Sequence, residues 1–288
     1  MKVHRGDESH CIVPSSMGSR VLLGAFERAV IIQDLATGDR SAPFDTTFDF
    51  GGERLALSDE INGIVAGAYY AHGLAFYCGN TGKELWRRKD IKKVQHVTLS
   101  RDGKTAYCGR EGSALAAIDL ITGESIRSIR GVRSLHESKY DSVKFLDGSS
   151  PQVLSDSGKR RFKVESSTYI DVAFSPGLVF LSECAGALRC MDISTGKERW
   201  HYRPESGSHV LKVSFCSADQ TLLGVEWPYE IGGDSRLIRW SLESGTILDS
   251  TQIATAREFC FGLDGHVLAS TTGRIMATTK KWTFPVSV

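Results

Sequence analysis

The stretch Leu188-Arg189-Cys190-Met191-Asp192-Ile193-Ser194-Thr195-Gly196-Lys197-Glu198-Arg199-Trp200 decides the fold, because its pattern occurs in five copies along the chain. Each copy is an apolar strand, a turn that ends in Gly, and a second strand. The other four copies are Ile31 to Gly38, Leu74 to Gly82, Leu115 to Gly123 and Leu237 to Gly245. A unit of this kind cannot bury its apolar face alone and must stack on copies of itself. The sequence therefore predicts a repeat architecture.

A second recurring turn lies between these copies and is built from Asp, Gly, Pro, Ser or Asn. Gly and Asn accept positive φ and Asp bonds its own backbone, so these segments are predicted to be tight β-turns. They are Ser58 to Gly63, Ser100 to Gly103, Leu146 to Gly148, Ser175 to Gly177, Ser217 to Asp219 and Leu263 to Gly265, with a weaker copy at Ser15 to Arg20. Short apolar runs bounded by such turns are typical of strands. The period of most units agrees with the ~40–50 residues of a four-stranded propeller blade.

These units predict an all-β fold, a seven-bladed β-propeller of four-stranded antiparallel blades that occupies residues 1–288 as a single domain. One blade, at about 132–166, is expected to be degenerate. Its first turn is placed at Asp147-Gly148 and it has a bend at Asp156-Ser157-Gly158, but it has no Thr-Gly turn. We therefore expect its outer strand to be missing or irregular. A count of six or eight blades is the alternative.

Two copies of the repeat point to a known family. Thr81-Gly82-Lys83-Glu84-Leu85-Trp86 and Asp192 to Trp200 resemble the quinoprotein (PQQ-like) repeat, in which an Asp precedes Thr-Gly-Lys and a Trp follows the Lys. The looser copies resemble the wider WD40-like superfamily, without its Trp-Asp ending. The resemblance covers roughly residues 20–285. It implies a propeller in which the Trp packs between blades and the Thr-Gly forms a turn, and it argues the fold and little else.

The quinone cofactor is not expected to accompany this resemblance. In the enzymes of the family, the resemblance would imply two adjacent cysteines against the quinone, and carboxylates and an Asn on a metal ion. Here the closest cysteines are Cys184 and Cys190, and the two Asn residues, Asn62 and Asn80, both fall in turns. We expect no cofactor.

Composition restricts the partner and the compartment. The 35 Lys and Arg residues nearly balance the 34 Asp and Glu residues, for a formal net charge of +1. Long-range attraction to nucleic acid or to an anionic membrane needs an excess of one sign, so neither is an expected partner. The seven cysteines form no Cys-x-x-Cys pair, which suits a reducing compartment. The chain starts without the apolar stretch of a signal peptide, and we expect a cytoplasmic protein.

Sequence motifs for catalysis are missing. There is neither a Gly-x-Ser-x-Gly elbow nor a Gly-rich phosphate loop ending in Lys-Ser/Thr. The histidines are spread along the chain, and His72, His96, His136 and His209 are predicted to lie in loops of one face. We expect no enzyme. The alternative is a small-molecule enzyme or ligand-binding propeller, lactonase-like, with a metal at the central channel.

Two extended connections indicate where a partner binds. They run from Glu226 to Arg236 and from Arg130 to Tyr140, and both are predicted on one face. Loops on a rigid scaffold carry function, and Trp, Tyr and Arg dominate protein–protein hot spots. The alternative is that Trp227 folds back to cover a neighbouring blade.

The predicted function is therefore that of a non-enzymatic protein that binds another protein. Concrete versions are a neutraliser of a toxin or effector, that is, an immunity-type protein, or a scaffold in a complex. The predicted partner-binding residues are Arg133, His136, Tyr140, Trp227, Tyr229, Glu230 and Arg236.

Overall fold

The structure, a computed structural model, contains β-strands joined by turns and loops. It describes residues 3–4, 9–25, 29–46, 54–70, 72–112, 114–165, 169–204, 207–228, 234–253, 256–261, 267–271 and 274–278. Within these ranges there are 28 strands and no α-helix. The all-β prediction is confirmed.

Six sheets are each formed by four consecutive antiparallel strands, and we name them blades 1 to 6. Blade 1 consists of β2 (Ser9–Pro14), β3 (Arg20–Ala25), β4 (Ala29–Asp34) and β5 (Phe44–Asp45). Blade 2 consists of β6 (Leu55–Ser58), β7 (Gly63–Gly67), β8 (Leu74–Cys78) and β9 (Glu84–Arg88). Blade 3 consists of β10 (Val94–Leu99), β11 (Thr105–Arg110), β12 (Leu115–Asp119) and β13 (Ser125–Ile129).

The next three blades follow the same order. Blade 4 consists of β14 (Val132–Glu137), β15 (Val143–Gly148), β16 (Gln152–Ser155) and β17 (Arg160–Lys163). Blade 5 consists of β18 (Tyr169–Ser175), β19 (Leu178–Glu183), β20 (Leu188–Asp192) and β21 (Glu198–Tyr202). Blade 6 consists of β22 (Ser208–Cys216), β23 (Thr221–Pro228), β24 (Ser235–Ser241) and β25 (Ile247–Ile253).

A seventh four-stranded sheet joins the two ends of the described chain. It contains β26 (Ala256–Phe261), β27 (Val267–Thr271) and β28 (Arg274–Thr278), with β1 (Val3–His4) paired to β28. We name it the end sheet. The predicted propeller of four-stranded antiparallel blades is confirmed, but the described blades made of consecutive strands number six rather than the predicted seven.

The first strand of each blade is the inner one. First strands of neighbouring blades contact one another, as β10 does with β6 and β14, and β18 does with β22. The fourth strands lie at the outside of the ring, where their side chains are more exposed. The inner strands therefore surround a central channel.

Blade 4 is complete, which corrects the prediction of a degenerate blade. Its outer strand β17 pairs with β16 from Lys163 to Arg160. Asp147-Gly148 ends β15 instead of forming the first turn, which spans 138–142. The Ser138 hydroxyl oxygen accepts hydrogen bonds from the amides of Tyr140 (3.1 Å) and Asp141 (3.0 Å). This turn closes without the Gly that the sequence interpretation required.

The repeat motif is explained by contacts between successive blades. The indole Nε1 of Trp200 in blade 5 donates to the Leu242 carbonyl oxygen in blade 6 at 2.8 Å. A Cβ on Gly245 would lie 2.5 Å from the Trp200 ring, so Gly is required at the end of that turn. The same aromatic-on-glycine contact recurs at Phe44 on Gly82, Trp86 on Gly123 and Phe162 on Gly196. Packing of the Trp between neighbouring blades is confirmed.

Apolar clusters fill the spaces between blades. One combines Val65, Leu74 and Phe76 of blade 2 with Val97 and Ile118 of blade 3. Cys11, Cys108 and Cys190 are buried in these clusters and form no disulfide with a described residue. They pack there as small apolar side chains.

Candidate functional site

The antiparallel order of the strands gives the ring two different faces. Turns between the first and second strands, and between the third and fourth, lie on one face, which we name the turn face. Turns between the second and third strands, and the connections between blades, lie on the opposite face, which we name the loop face.

Three of the predicted partner-binding residues lie at the loop face. Arg133 lies near the start of β14, and its Nη2 is 2.9 Å from Asp147 Oδ1. Trp227 lies near the end of β23, opposite His209. Arg236 in β24 donates from Nη2 to the Tyr202 hydroxyl at 3.3 Å.

The structure separates the other described candidates from these three, so the prediction of one common face is wrong. Tyr140 lies in the first turn of blade 4, on the turn face. His136 lies inside the channel, where it lines a cavity with Tyr140. The error follows from the blade 4 turn, because the predicted extended connection is in fact inner strand β14 and its turn. Tyr229 and Glu230 lie outside the described residues.

A cluster on the loop face of blades 2 and 3 was missed. It consists of Arg54, Tyr69, Tyr70, Lys93 and Glu111, and we name it the Tyr69 cluster. The rings of Tyr69 and Tyr70 are 5.0 Å apart between centroids at an interplanar angle of 77°. Tyr70 is 76% exposed, the highest value among the large hydrophobic side chains that the structure describes as exposed.

Several polar contacts hold Tyr69 in place within this cluster. The Arg54 guanidinium carbon lies 5.5 Å from the centre of the Tyr69 ring. The Tyr69 hydroxyl donates to Glu111 Oε2, which also pairs with Lys93 Nζ at 3.3 Å. The hydrogen bond to Glu111 raises the pKa of Tyr69, while Tyr69 and Lys93 lower the pKa of Glu111. The adjacent tyrosines in a turn were the signal available in the sequence.

A cavity of about 280 Å³ lies at the mouth of the channel on the turn face. Residues near the ends of five inner strands line it, together with the first turns of blades 1 and 4. Its lining residues are Pro14, Ser15, Gly18, Thr98, Leu99, His136, Glu137, Lys139, Tyr140, Val172, Ala173, Phe174, Val213, Ser214 and Phe215.

The first turn of blade 4 extends over this cavity. Lys139 Nζ donates to the Ser16 carbonyl oxygen of blade 1, and Tyr140 packs edge-on against Phe215 of blade 6, with ring centroids 5.3 Å apart. These contacts join blades that are not neighbours in the ring. The turn therefore forms a partial roof over the channel.

Polar residues recur at equivalent positions of several inner strands. In blades 1 to 6, five of the six inner strands have a register shift, β6 being the exception, and the residues after it are Cys11, His96, Ser134, Asp171 and Lys212. The amide of Val213 donates to Asp171 Oδ2 at 2.9 Å. Burial raises the pKa of Asp171, and the nearby Lys212 opposes that rise.

His136 is half-buried in the channel. It lies between the residues that follow the register shifts and the first turn of blade 4. Its Nε2 lies 3.0 Å from the Ser134 hydroxyl. Burial, together with the electrostatic effect of the basic side chains His96 and Lys212, lowers the pKa of His136 to about 4. The imidazole is therefore neutral at pH 7.

We expect the free energy of unfolding to fall by about 1–2 kcal/mol between pH ~7.5 and ~5 through His136. The folded state keeps this imidazole neutral, whereas the unfolded chain takes up a proton near its ordinary pKa of about 6.5. The contribution of His136 to stability is thus fully present above its unfolded pKa. It is lost as the pH falls toward its pKa in the folded state. Urea unfolding at several pH values measures it.

The variant His136→Gln should remove this proton uptake and flatten the profile relative to the wild type. His201→Gln, at an exposed position on β21, is the matched control for the substitution. The difference between variants isolates His136 from the other charged groups near it, which are His96, Glu137, Lys139, Asp171 and Lys212. Parallel profiles for wild type and His136→Gln would contradict the assignment.

The predicted histidine loops are only partly found. His96 and His136 lie in inner strands β10 and β14, and His209 lies in β22, while His72 lies in the turn between β7 and β8. Among the residues that the structure describes, no three His, Cys, Asp or Glu side chains are grouped so as to hold a metal ion. In the same part of the chain, no helix is long and apolar enough to cross a bilayer.

Comparison with known proteins supports the fold. No family model and no curated protein matches the chain. Among solved structures, 1620 chains match it. One is the crystal structure of the computationally designed Ika8 protein, which is 17% identical with a TM-score of 0.61, covering 96% of this chain and 98% of that one. Likeness at this level of identity shows the fold alone.

Proposed function

We propose that the protein is a non-enzymatic binding protein that recognises another protein through its loop face. The observation that carries this is the Tyr69 cluster, where Tyr70 is 76% exposed beside a fixed Tyr69. Tyr and Arg are enriched at interface hot spots. A tyrosine that is already ordered loses little conformational entropy when a partner covers it.

The chemistry of the cluster indicates the partner surface. Tyr70 suits an apolar pocket, while Arg54 and Lys93 exceed Glu111 by one positive charge and suit an acidic rim. Two positive residues lie on the loop face of adjacent blades. Lys93 comes directly before β10 of blade 3, and Arg133 lies in β14 of blade 4. We propose that the loop face covers part of the surface of its bound partner. A toxin or effector neutraliser, or a scaffold, would act in this way.

We also propose that the end sheet closes the ring as a seventh blade. Its inner strand β26 contacts β2 of blade 1 and β22 of blade 6, the two blades that would flank it. Closure of this kind would keep the loop face rigid. A cytoplasmic location is part of the proposal, and buried cysteines that form no disulfide within the described residues suit it.

Affinity capture from the native cell tests the proposal. The wild type should recover a protein partner at fixed stoichiometry, and Tyr70→Ser should reduce recovery by roughly 30-fold, the loss expected for a hot spot worth ~2 kcal/mol. The matched control is Ile121→Ser, because Ile121 is 67% exposed and lies on the turn face.

Recovery should survive nuclease treatment. Equal recovery with wild type and Tyr70→Ser, or a loss confined to Ile121→Ser, would contradict the loop-face assignment. A recovered nucleic acid in place of a protein would contradict the partner class.

A further inference from the structure

We propose that the cavity under the blade 4 turn binds a small organic anion that carries an apolar body. This goes beyond the proposed function, since the cavity opens on the turn face, opposite the Tyr69 cluster. Its volume of about 280 Å³ lies just below the usual range for ligand pockets, so a small metabolite-sized molecule fits it better than a nucleotide.

Part of the cavity lining is apolar. Tyr140 and Phe215 meet edge to face at 5.3 Å, and Phe174, Val172 and Val213 continue this wall. An aromatic or aliphatic body packed there would be removed from water, which is favourable in proportion to its buried area.

The lining also offers groups suited to an anionic head. His136, Thr98 and Ser214 line it. The Thr98 hydroxyl donates to the Leu135 carbonyl oxygen at 2.5 Å, whereas the Ser214 hydroxyl makes no hydrogen bond to the part of the chain that is described. Ser214 can therefore donate to a carboxylate or phosphate oxygen.

Two basic side chains lie close enough to act on His136. His96 and Lys212 both lower the pKa of its imidazole. The acidic side chain in the lining is Glu137, whose carboxylate accepts hydrogen bonds from the Tyr107 hydroxyl at 2.6 Å and from the Arg101 amide at 3.0 Å. Asp171 accepts a hydrogen bond from the Val213 amide. Both carboxylates therefore already have donors, and an anion bound beside His136 would have basic side chains as neighbours.

Ligand-observed NMR with three probes tests the inference on the intact protein. Benzoate has both the anionic head and the apolar body, benzamide has only the body, and inorganic phosphate has only the charge. We expect benzoate to bind with a Kd on the order of 1 mM, and the other two at least fivefold more weakly. Benzoate should also shift the imidazole signals of His136.

Variants locate the site. His136→Gln and Ser214→Ala should each weaken benzoate binding several-fold, and Tyr140→Ser should weaken benzoate and benzamide together. His201→Gln should leave all three probes unchanged. Should one cavity variant fail to fold, the remaining variants and the ranking of probes on the wild type still decide the matter.

Each alternative ranking overturns part of the inference. If benzamide bound as tightly as benzoate, the site would not require an anionic head. If phosphate bound as tightly as benzoate, it would not require an apolar body. Benzoate binding unaffected by every cavity variant, or no binding at about 10 mM benzoate, would overturn the site itself.

Discussion

Replacing Trp240 by alanine is expected to lower the free energy of unfolding by about 3–5 kcal/mol. Trp240 lies in β24, is 0% exposed and meets Tyr202 of blade 5 edge-on at 5.3 Å between ring centroids. Its removal would leave a cavity between two blades, where the surrounding strands can collapse only partly. Denaturant unfolding followed by circular dichroism measures the loss.

Trp240→Phe is the matched control and should cost much less, about 1 kcal/mol. The indole Nε1 is buried without a hydrogen-bond partner in the described structure, and phenylalanine would remove that unsatisfied donor. An alanine variant as stable as the phenylalanine variant would show that this interface is not tightly packed.

Gly109→Ala should destabilise the protein by about 3 kcal/mol. A Cβ at Gly109 in β11 would lie 1.9 Å from the carbonyl oxygen of Arg133 in β14. The obstacle is main chain, so blades 3 and 4 would have to move apart. Loss of hydrogen-exchange protection should concentrate in β10 and β14, whose hydrogen bond from Thr98 to Leu135 crosses the same interface.

Gly112→Ala is the matched control, because it adds a Cβ at a glycine that has a left-handed backbone but no close neighbour. Gly112 has a φ of +62°, and a Cβ added there would meet no described atom within 4 Å. Alanine at this position should therefore cost only about 1 kcal/mol, from the left-handed backbone. Equal destabilisation by both variants would contradict the close contact between blades 3 and 4.

The strand–turn–strand copies were predictable because their causes are local. The Asp119 carboxylate accepts hydrogen bonds from the amides of Ile121 (2.9 Å) and Thr122 (2.8 Å), and a Gly ends the same turn with φ at +75°. Such turns can be predicted directly from residue types. The stacking of Trp200 on the following blade also follows from the repeat, since Trp86 makes the same contact with Gly123 one blade along.

Blade 4 was misread because its turn is closed by a serine hydroxyl and its inner strand is polar. Only Val132 and Leu135 are apolar among the six residues of β14, and that pattern resembled a loop. One misplaced turn then moved Tyr140 to the wrong face. The cavity depends on inner strands that are distant in sequence, so Ser214 and Phe215 could not be joined to His136 by pattern alone.

The Tyr69 cluster was overlooked for a different reason. Its turn is short, and the sequence interpretation looked for function in long connections. Arg54 and Glu111 are separated from Tyr69 along the chain and meet it only through the packing of blades 2 and 3. Exposure of Tyr70 becomes visible only when the ring is assembled.

Site-specific photo-crosslinking in the native cell tests the central claim most directly. A benzophenone amino acid in place of Tyr70 should give one defined protein adduct, and the same group in place of Ile121 on the turn face should give none. An adduct at position 121 with none at position 70 would contradict a protein-binding loop face.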